Sequence, residues 1–150
     1  MAAPIRIMLV EDNEDDYEAT LRSLRKNHFV NPIKWCKNGQ EALDCLSARA
    51  DIADAAACQK PDLILLDLNM PGIDGRHVLN IIKADPALRS TPVIVLTTST
   101  DARDIAECYK MGANSYIQKP VSFTGLTEAI RTMTDYWFNV AILPHNAGEE

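Results

Sequence analysis

The sequence predicts a single α/β domain in which a five-stranded, doubly wound parallel sheet carries five helices on its two faces. Three observations support this. Five short strand-like runs alternate with segments whose apolar residues recur at helical spacing, the pattern of repeated strand–helix crossovers. The runs at Ile7–Val10, Leu63–Leu66 and Val93–Thr97 are apolar on both faces, as strands covered by helices on both sides must be. Those at Ile33–Cys36 and Ser115–Gln118 mix polar with apolar residues, as edge strands do. Three apolar centres and two mixed edges fit the strand order 2-1-3-4-5 with right-handed crossovers.

The first run covers residues 5–12 and closes on two acids, Glu11 and Asp12. Tyr17, Leu21 and Leu24 then recur with charges between them, which predicts an amphipathic helix over residues 15–27. Asn38 and Gly39 begin a second helix through Ala42, Leu43 and Leu46. Residues 47–59 are alanine-rich and acidic and either extend that helix or form a loop, and Pro61 stops whatever precedes it. The third run ends in Asp67, and the turn forced by Pro71 and Gly72 places that acid where a buried strand surfaces. Gly72 and Gly75 flank the turn. Val78, Leu79 and Ile82 predict a third helix over residues 76–83, ended by Asp85 and Pro86. Pro92 introduces the fourth strand; Asp101 is placed to cap a helix running to about Met111, and Gly112 to close it. In the last helix, predicted over residues 123–138, Leu126, Ile130, Met133 and Trp137 form one stripe.

At 150 residues and 47% hydrophobic content the chain can bury one core and is too short for two, so residues 1–139 are expected to form one domain and 140–150 a tail. A net charge of −6 with no basic run argues against a nucleic-acid surface. The apolar stretch of the first strand is too short for a signal or a membrane span and acids follow it at once, so a cytoplasmic protein is expected. Cys36, Cys45, Cys58 and Cys108 lack C-x-x-C spacing and fall in apolar segments, as buried reduced thiols do. His28, His77 and His145 are too scattered for a zinc site.

In the order 2-1-3-4-5 the crevice at the switch point lies between the carboxyl ends of the first and third strands, where Glu11, Asp12 and Asp67 emerge. Three carboxylates in one crevice repel one another, and burying them without a counter-charge raises at least one pKa, so the site calls for a cation. All-oxygen ligands select a hard ion, and octahedral Mg²⁺ suits carboxylates supplemented by a backbone carbonyl and water. The same acids would repel the phosphate of a flavin mononucleotide, which excludes that ligand after the first strand. A metal beside Asp67, the Thr97 hydroxyl and the Lys119 ammonium make a set able to hold a phosphoryl group on a carboxylate. Taken singly, Lys119 reads as surface charge, Thr97 as a strand end, and Glu11 and Asp12 as a helix start. Jointly, at four strand ends, they read as a site.

The acidic pair Glu11 and Asp12, Asp67 within Asp-Leu-Asn-Met-Pro-Gly-Ile-Asp-Gly, then Thr97, Tyr116 and the pair Lys119 and Pro120, resemble the receiver domains of two-component response regulators. This is the CheY-like family, with a flavodoxin-like fold, and the resemblance covers nearly the whole chain. It implies phosphorylation of Asp67 by a sensor histidine kinase or a histidine phosphotransfer protein. Mg²⁺ would be held by Asp12, Asp67 and the main-chain carbonyl of Asn69, with Glu11 in place of the commoner Asp. It also implies phosphoryl binding and switching by Thr97, Thr98, Lys119 and Tyr116, and a cis peptide at Pro120, for which the physical case is a turn sharp enough to aim Lys119 into the crevice. Thr97, Thr98 and Ser99, together with Tyr136, Trp137 and Phe138 and then Ile142, Leu143 and Pro144, are similar to stand-alone receivers serving phytochrome-type histidine kinases.

No output domain is expected past about Phe138, so the phosphorylated surface would itself be the signal, and the chain is expected to accept phosphate without turning over as an enzyme. A phosphatase of the haloacid dehalogenase type would need a second Asp two residues after its nucleophile; Asn69 stands there and cannot transfer a proton. A receiver-like module used for binding alone would lack an acid or the lysine, and all are present. At the end of the chain, Tyr136 and Phe138 flank the Trp137 stripe by about 100° on either side, and no predicted element covers Val140, Ile142 or Leu143. Tyr136, Trp137, Phe138, Ile142 and Leu143 are therefore candidates for a two-fold homodimer interface, the alternative being a tail folded over its own domain.

Overall fold

The computed structural model describes residues 5–47 and 60–144. Its strands are β1 (Ile7–Val10), β2 (Ile33–Cys36), β3 (Leu63–Leu66), β4 (Val93–Thr97) and β5 (Ser115–Gln118), joined in the order β2-β1-β3-β4-β5. Every pairing is parallel, with Leu9 aligned to both Trp35 and Leu65. This is the expected order, and the pleat explains why the three inner strands had to be apolar throughout. Met8, Val10, Ile64, Leu66, Val93 and Val95 face one layer of helices, while Ile7, Leu9, Leu63, Leu65, Ile94 and Leu96 face the other. Each such side chain contributes about 1.5–3 kcal/mol by leaving water, so a register slip of one residue would bury nothing new and break both layers.

The first layer contains α2 (Gly39–Leu46), α3 (Gly75–Ala84) and α4 (Ala102–Met111); the second contains α1 (Glu14–Lys26) and α5 (Phe123–Thr134). Each helix begins on a capping side chain: Asn13, Asn38, Asp74, Asp101 and Ser122 accept bonds from backbone N–H groups of the first turn. In α1 the acids Glu14, Asp15 and Asp16 occupy the first turn and Arg25 and Lys26 the last, matching the helix dipole. Gly112 closes α4 at φ 110°, a conformation other residues adopt only with strain. Cys36, Cys45 and Cys108 are buried, and Cys58 and the segment 48–59 lie outside the described residues. Among the described residues no helix is long and apolar enough to cross a membrane.

The end of the chain departs from the expected single helix. α5 stops at Thr134 and the chain widens into a π-helical turn, Asp135–Val140, in which Ala141 N donates to Tyr136 O at 2.7 Å. With more residues per turn, the neighbours Trp137 and Phe138 both reach the α1–α5 core, and Phe138 stacks on Phe29 at 5.0 Å. Leu143 is buried, at 1% exposure, and Pro144 lies beside Arg6, Pro61 and Pro92 near the amino ends of β1, β3 and β4. The expectation that nothing covers the residues past Asn139 is corrected: the chain turns back and buries one of them. Tyr136, Val140 and Ile142 stay exposed.

Candidate functional site

The carboxyl edge of the sheet gathers the polar residues predicted from the sequence, because the ladder runs one residue past each strand. Glu11 N donates to Cys36 O at 3.0 Å, Asp67 N to Val10 O at 3.0 Å and Lys119 N to Thr97 O at 2.7 Å. Carboxylate oxygens of Glu11, Asp12 and Asp67 lie within 4.8 Å of one another, with Glu11 and Asp67 buried and Asp12 exposed. The pleat sorts the rest. Glu11, Asp67 and Lys119 continue the alternation of Leu9, Leu65 and Ile117 toward α1, whereas Thr97 continues that of Val95, on the layer where Tyr116 packs.

Lys119 is the counter-charge. Its Nζ is 2.5 Å from Glu11 Oε1, 3.0 Å from Asp16 Oδ2 and 3.9 Å from Asp67 Oδ2. Burial pushes the Glu11 carboxyl up to about 7 even against the pull of Lys119, with the charge on Asp67 adding to the rise. Burial likewise raises Asp67, opposed by Lys119 and by Thr97. For Lys119 burial acts the other way, and the bond to Glu11 with the charges of Glu11 and Asp67 outweighs it, so the ammonium is held above its usual range. With one ammonium set against Glu11, Asp12, Asp16 and Asp67, the crevice is short of positive charge.

Among the described residues Thr97 Oγ1 is the one buried side-chain polar atom without a hydrogen-bond partner. It is near enough to Asp67 to favour the carboxylate yet makes no bond of hydrogen-bonding geometry. Leaving such a group unpaired costs about 1–3 kcal/mol, and the hydroxyl is free to bond a group that enters the crevice. Hard oxygen donors around one point, a fixed ammonium and an unpaired hydroxyl fit a divalent cation with a phosphoryl group beside it.

Residues 7–131 match the family model of the response regulator receiver domain. The chain belongs to that family. It is 37% identical over 134 residues to the probable methanogenesis regulatory protein FilR2 of Methanothrix harundinacea, spanning 89% of this chain and 84% of that protein. The phosphorylated cyanobacterial phytochrome response regulator RcpA superposes with a TM-score of 0.87 at 37% identity, covering 95% of this chain and 99% of that one. The Mn²⁺-bound form of Rcp1, a response regulator of Synechocystis, superposes with a TM-score of 0.85 at 32% identity over 94% of this chain and 99% of that one. The receiver is thus a phosphoacceptor signalling domain, receivers of this family bind a divalent metal and accept phosphate from histidine kinases, and the phosphatase alternative falls away.

The receiver's remaining expected positions fall as follows. Thr98 is exposed directly after Thr97, and Asn69 is exposed in the loop after β3, where its backbone N–H and that of Leu68 favour the charged Asp67. Tyr116 is half-buried with its hydroxyl donating to Ser99 O at 3.0 Å. The cis peptide at Pro120 is not found: the described residues contain none. The ladder bond from Lys119 N and the strand's own pleat deliver the ammonium to the crevice, so no sharp turn is required.

Two supports had no expectation attached. Trp35 Nε1 donates to the Glu11 carbonyl at 2.8 Å, and Tyr17 stacks flat on that indole at 3.9 Å, pinning the acidic loop against the edge strand. Gly75, at the start of α3, donates to Leu68 O, and a Cβ there would lie 2.1 Å from Asp67 O and 2.7 Å from Leu68 Cα. Its role is close approach; at Gly72 it is the turn itself, φ 75° with open space around it.

Proposed function

We propose that Asp67 is the phosphoacceptor of this response regulator and that Mg²⁺ is its ion, held by Asp12, Asp67 and the Asn69 main-chain carbonyl with Glu11 at its side. The carrying observation is the convergence of Glu11, Asp12 and Asp67 with Lys119 and the unpaired Thr97 hydroxyl. When bound, the ion offsets negative charge on the transferring oxygens. An Asp67 oxygen attacks phosphorus, the P–N bond to the donor histidine breaks as the P–O bond forms, and Lys119 and the Thr97 hydroxyl, with Thr98 beside it, bind the phosphoryl oxygens. Tyr116 then reports occupancy to the surface formed by α4, β5 and α5. The chain is a receiver in residues 1–139 with a tail over 140–150, works in the cytoplasm and has no turnover of its own beyond gaining and losing this phosphate. Intact-mass measurement after acetyl phosphate treatment tests it: one phosphate with Mg²⁺ present and none after chelation is expected, and an unmodified chain in Mg²⁺ refutes it.

Similarity to RcpA and Rcp1 supports a phytochrome-type histidine kinase as the donor, directly or through a phosphotransfer protein. A two-fold homodimer is the favoured assembly. Trp137, Phe138 and Leu143 are largely engaged by their own domain, so Tyr136, Val140 and Ile142 carry that proposal. Sedimentation at micromolar concentration should show a dimer that Tyr136→Asp combined with Ile142→Asp turns into a monomer. A parent chain that stays monomeric even with beryllofluoride rules the dimer out.

A further inference from the structure

α3 and α4 are tied together at their amino ends by one guanidinium. Arg76 Nε and Nη2 reach Asp104 Oδ1 and Oδ2 at 3.0 and 2.7 Å, and Nη1 reaches Asp74 Oδ2 at 2.9 Å. A cation in the first turn of a helix stands at the wrong end of its dipole, and the N-cap Asp74 is the one acid at that end of α3. A residue placed against local preference calls for a reason elsewhere in the fold. Here the fork meets a carboxylate 28 residues away in the first turn of the next helix.

The partners of Arg76 lead in two directions. Asp104 Oδ2 also accepts from Ser99 Oγ at 2.8 Å, and the Ser99 carbonyl accepts from the Tyr116 hydroxyl. On the other side Asp74 caps α3 immediately before Gly75, the residue pressed against the Asp67 carbonyl. Ser99 also follows Thr97 by two residues, so the segment that Asp104 anchors leads directly to the Thr97 hydroxyl. The Tyr116 ring already packs against the α2–α4 side of the core.

We propose that Arg76 and Asp104 are positioning residues that preform the arrangement in which the Tyr116 hydroxyl donates to the Ser99 carbonyl and its ring packs on the core, so that less of the phosphoryl group's binding energy is spent on reaching it. This rests on Asp67 being the phosphoacceptor. A binding-competent arrangement populated in advance raises apparent affinity in proportion to its population. Partial exposure of both side chains, 30% for Arg76 and 23% for Asp104, places the effect at the lower end of allosteric couplings.

The experiment titrates the full chain with beryllofluoride in excess Mg²⁺, for the parent, Arg76→Gln, Asp104→Asn, the double variant and Arg76→Lys. Each single substitution should weaken apparent affinity by about fivefold. The double variant should be no weaker than either single, since one bridge is lost only once. Arg76→Lys should stay weakened, because an ammonium cannot span both oxygens as the fork does. The Tyr116 ring resonances of the unliganded variants should move away from their position in the liganded parent. Unchanged affinity with a lowered thermal midpoint would reduce the bridge to a brace and overturn the proposal, as would additive single effects or full recovery by Arg76→Lys. A parent chain that binds no beryllofluoride fails differently, removing the phosphoacceptor reading and the proposal with it.

Discussion

Asp67→Asn should take up no phosphoryl group from acetyl phosphate in Mg²⁺, and its intact mass should remain that of the unmodified chain. The amide keeps the shape of the side chain and loses the nucleophile, since its oxygen carries no charge and its nitrogen no available pair. The fold should survive the change. Asp67 is buried beside Glu11, and its charge makes Glu11 harder to ionise, so deleting that buried charge relieves repulsion as well as the burial of Asp67 itself. The thermal midpoint measured without metal should therefore stay level or rise. A single phosphate persisting on the variant would place the acceptor on another residue.

Gly75→Ala should cost nearly as much activity without touching a polar atom. The added Cβ would sit 2.1 Å from the Asp67 carbonyl oxygen, and its other near neighbours, Leu68 Cα and Asp67 C, are also backbone. No side chain can swing aside, so either α3 or the end of β3 must move by roughly an ångström, and overpacking of that kind costs about 1–3 kcal/mol. Displacing the attacking carboxylate by about that distance lowers the rate on the order of 100-fold. Gly72→Ala is the control: nothing lies within 4 Å of its Cβ, so the variant suffers backbone strain of about 1–2 kcal/mol and keeps its phosphorylation rate. Initial rates and unfolding midpoints of the two variants decide the matter, and equal rates would refute the steric argument.

The contrast between these glycines shows what can be read from a chain and what cannot. Both look like turn residues, and Gly72 is one; Gly75 is required by the return of α3 onto Asp67, a contact that no local pattern announces. The strands were legible because alternation and apolarity are local, and β2, β4 and β5 begin and end where residue character changes. The site was legible because each member stands at a strand end. Counting the pleat one residue further would also have shown that Lys119 faces the crevice without help from a turn at Pro120. The widened turn at Asp135–Val140 had one available signal, two adjacent aromatics that cannot share a face of an α-helix yet both have to be covered. Arg76 with Asp104, and Trp35 with the Glu11 carbonyl, join residues far apart in the chain and leave no periodic trace.

The Trp35 contact gives the molecule a built-in optical probe. Of its two tryptophans, one has its indole N–H committed to the backbone of a crevice acid and its ring face covered by Tyr17, with Lys37 Nζ 5.1 Å from the ring centroid. The other, Trp137, follows the carboxyl end of α5, against the core at the opposite pole of the sheet. Emission from Trp35 should therefore respond to a shift in charge or hydrogen bonding at the acidic loop, whereas Trp137, edge-on to Tyr136, would respond to pairing of two chains. The unlabelled chain can be followed in real time by its own fluorescence.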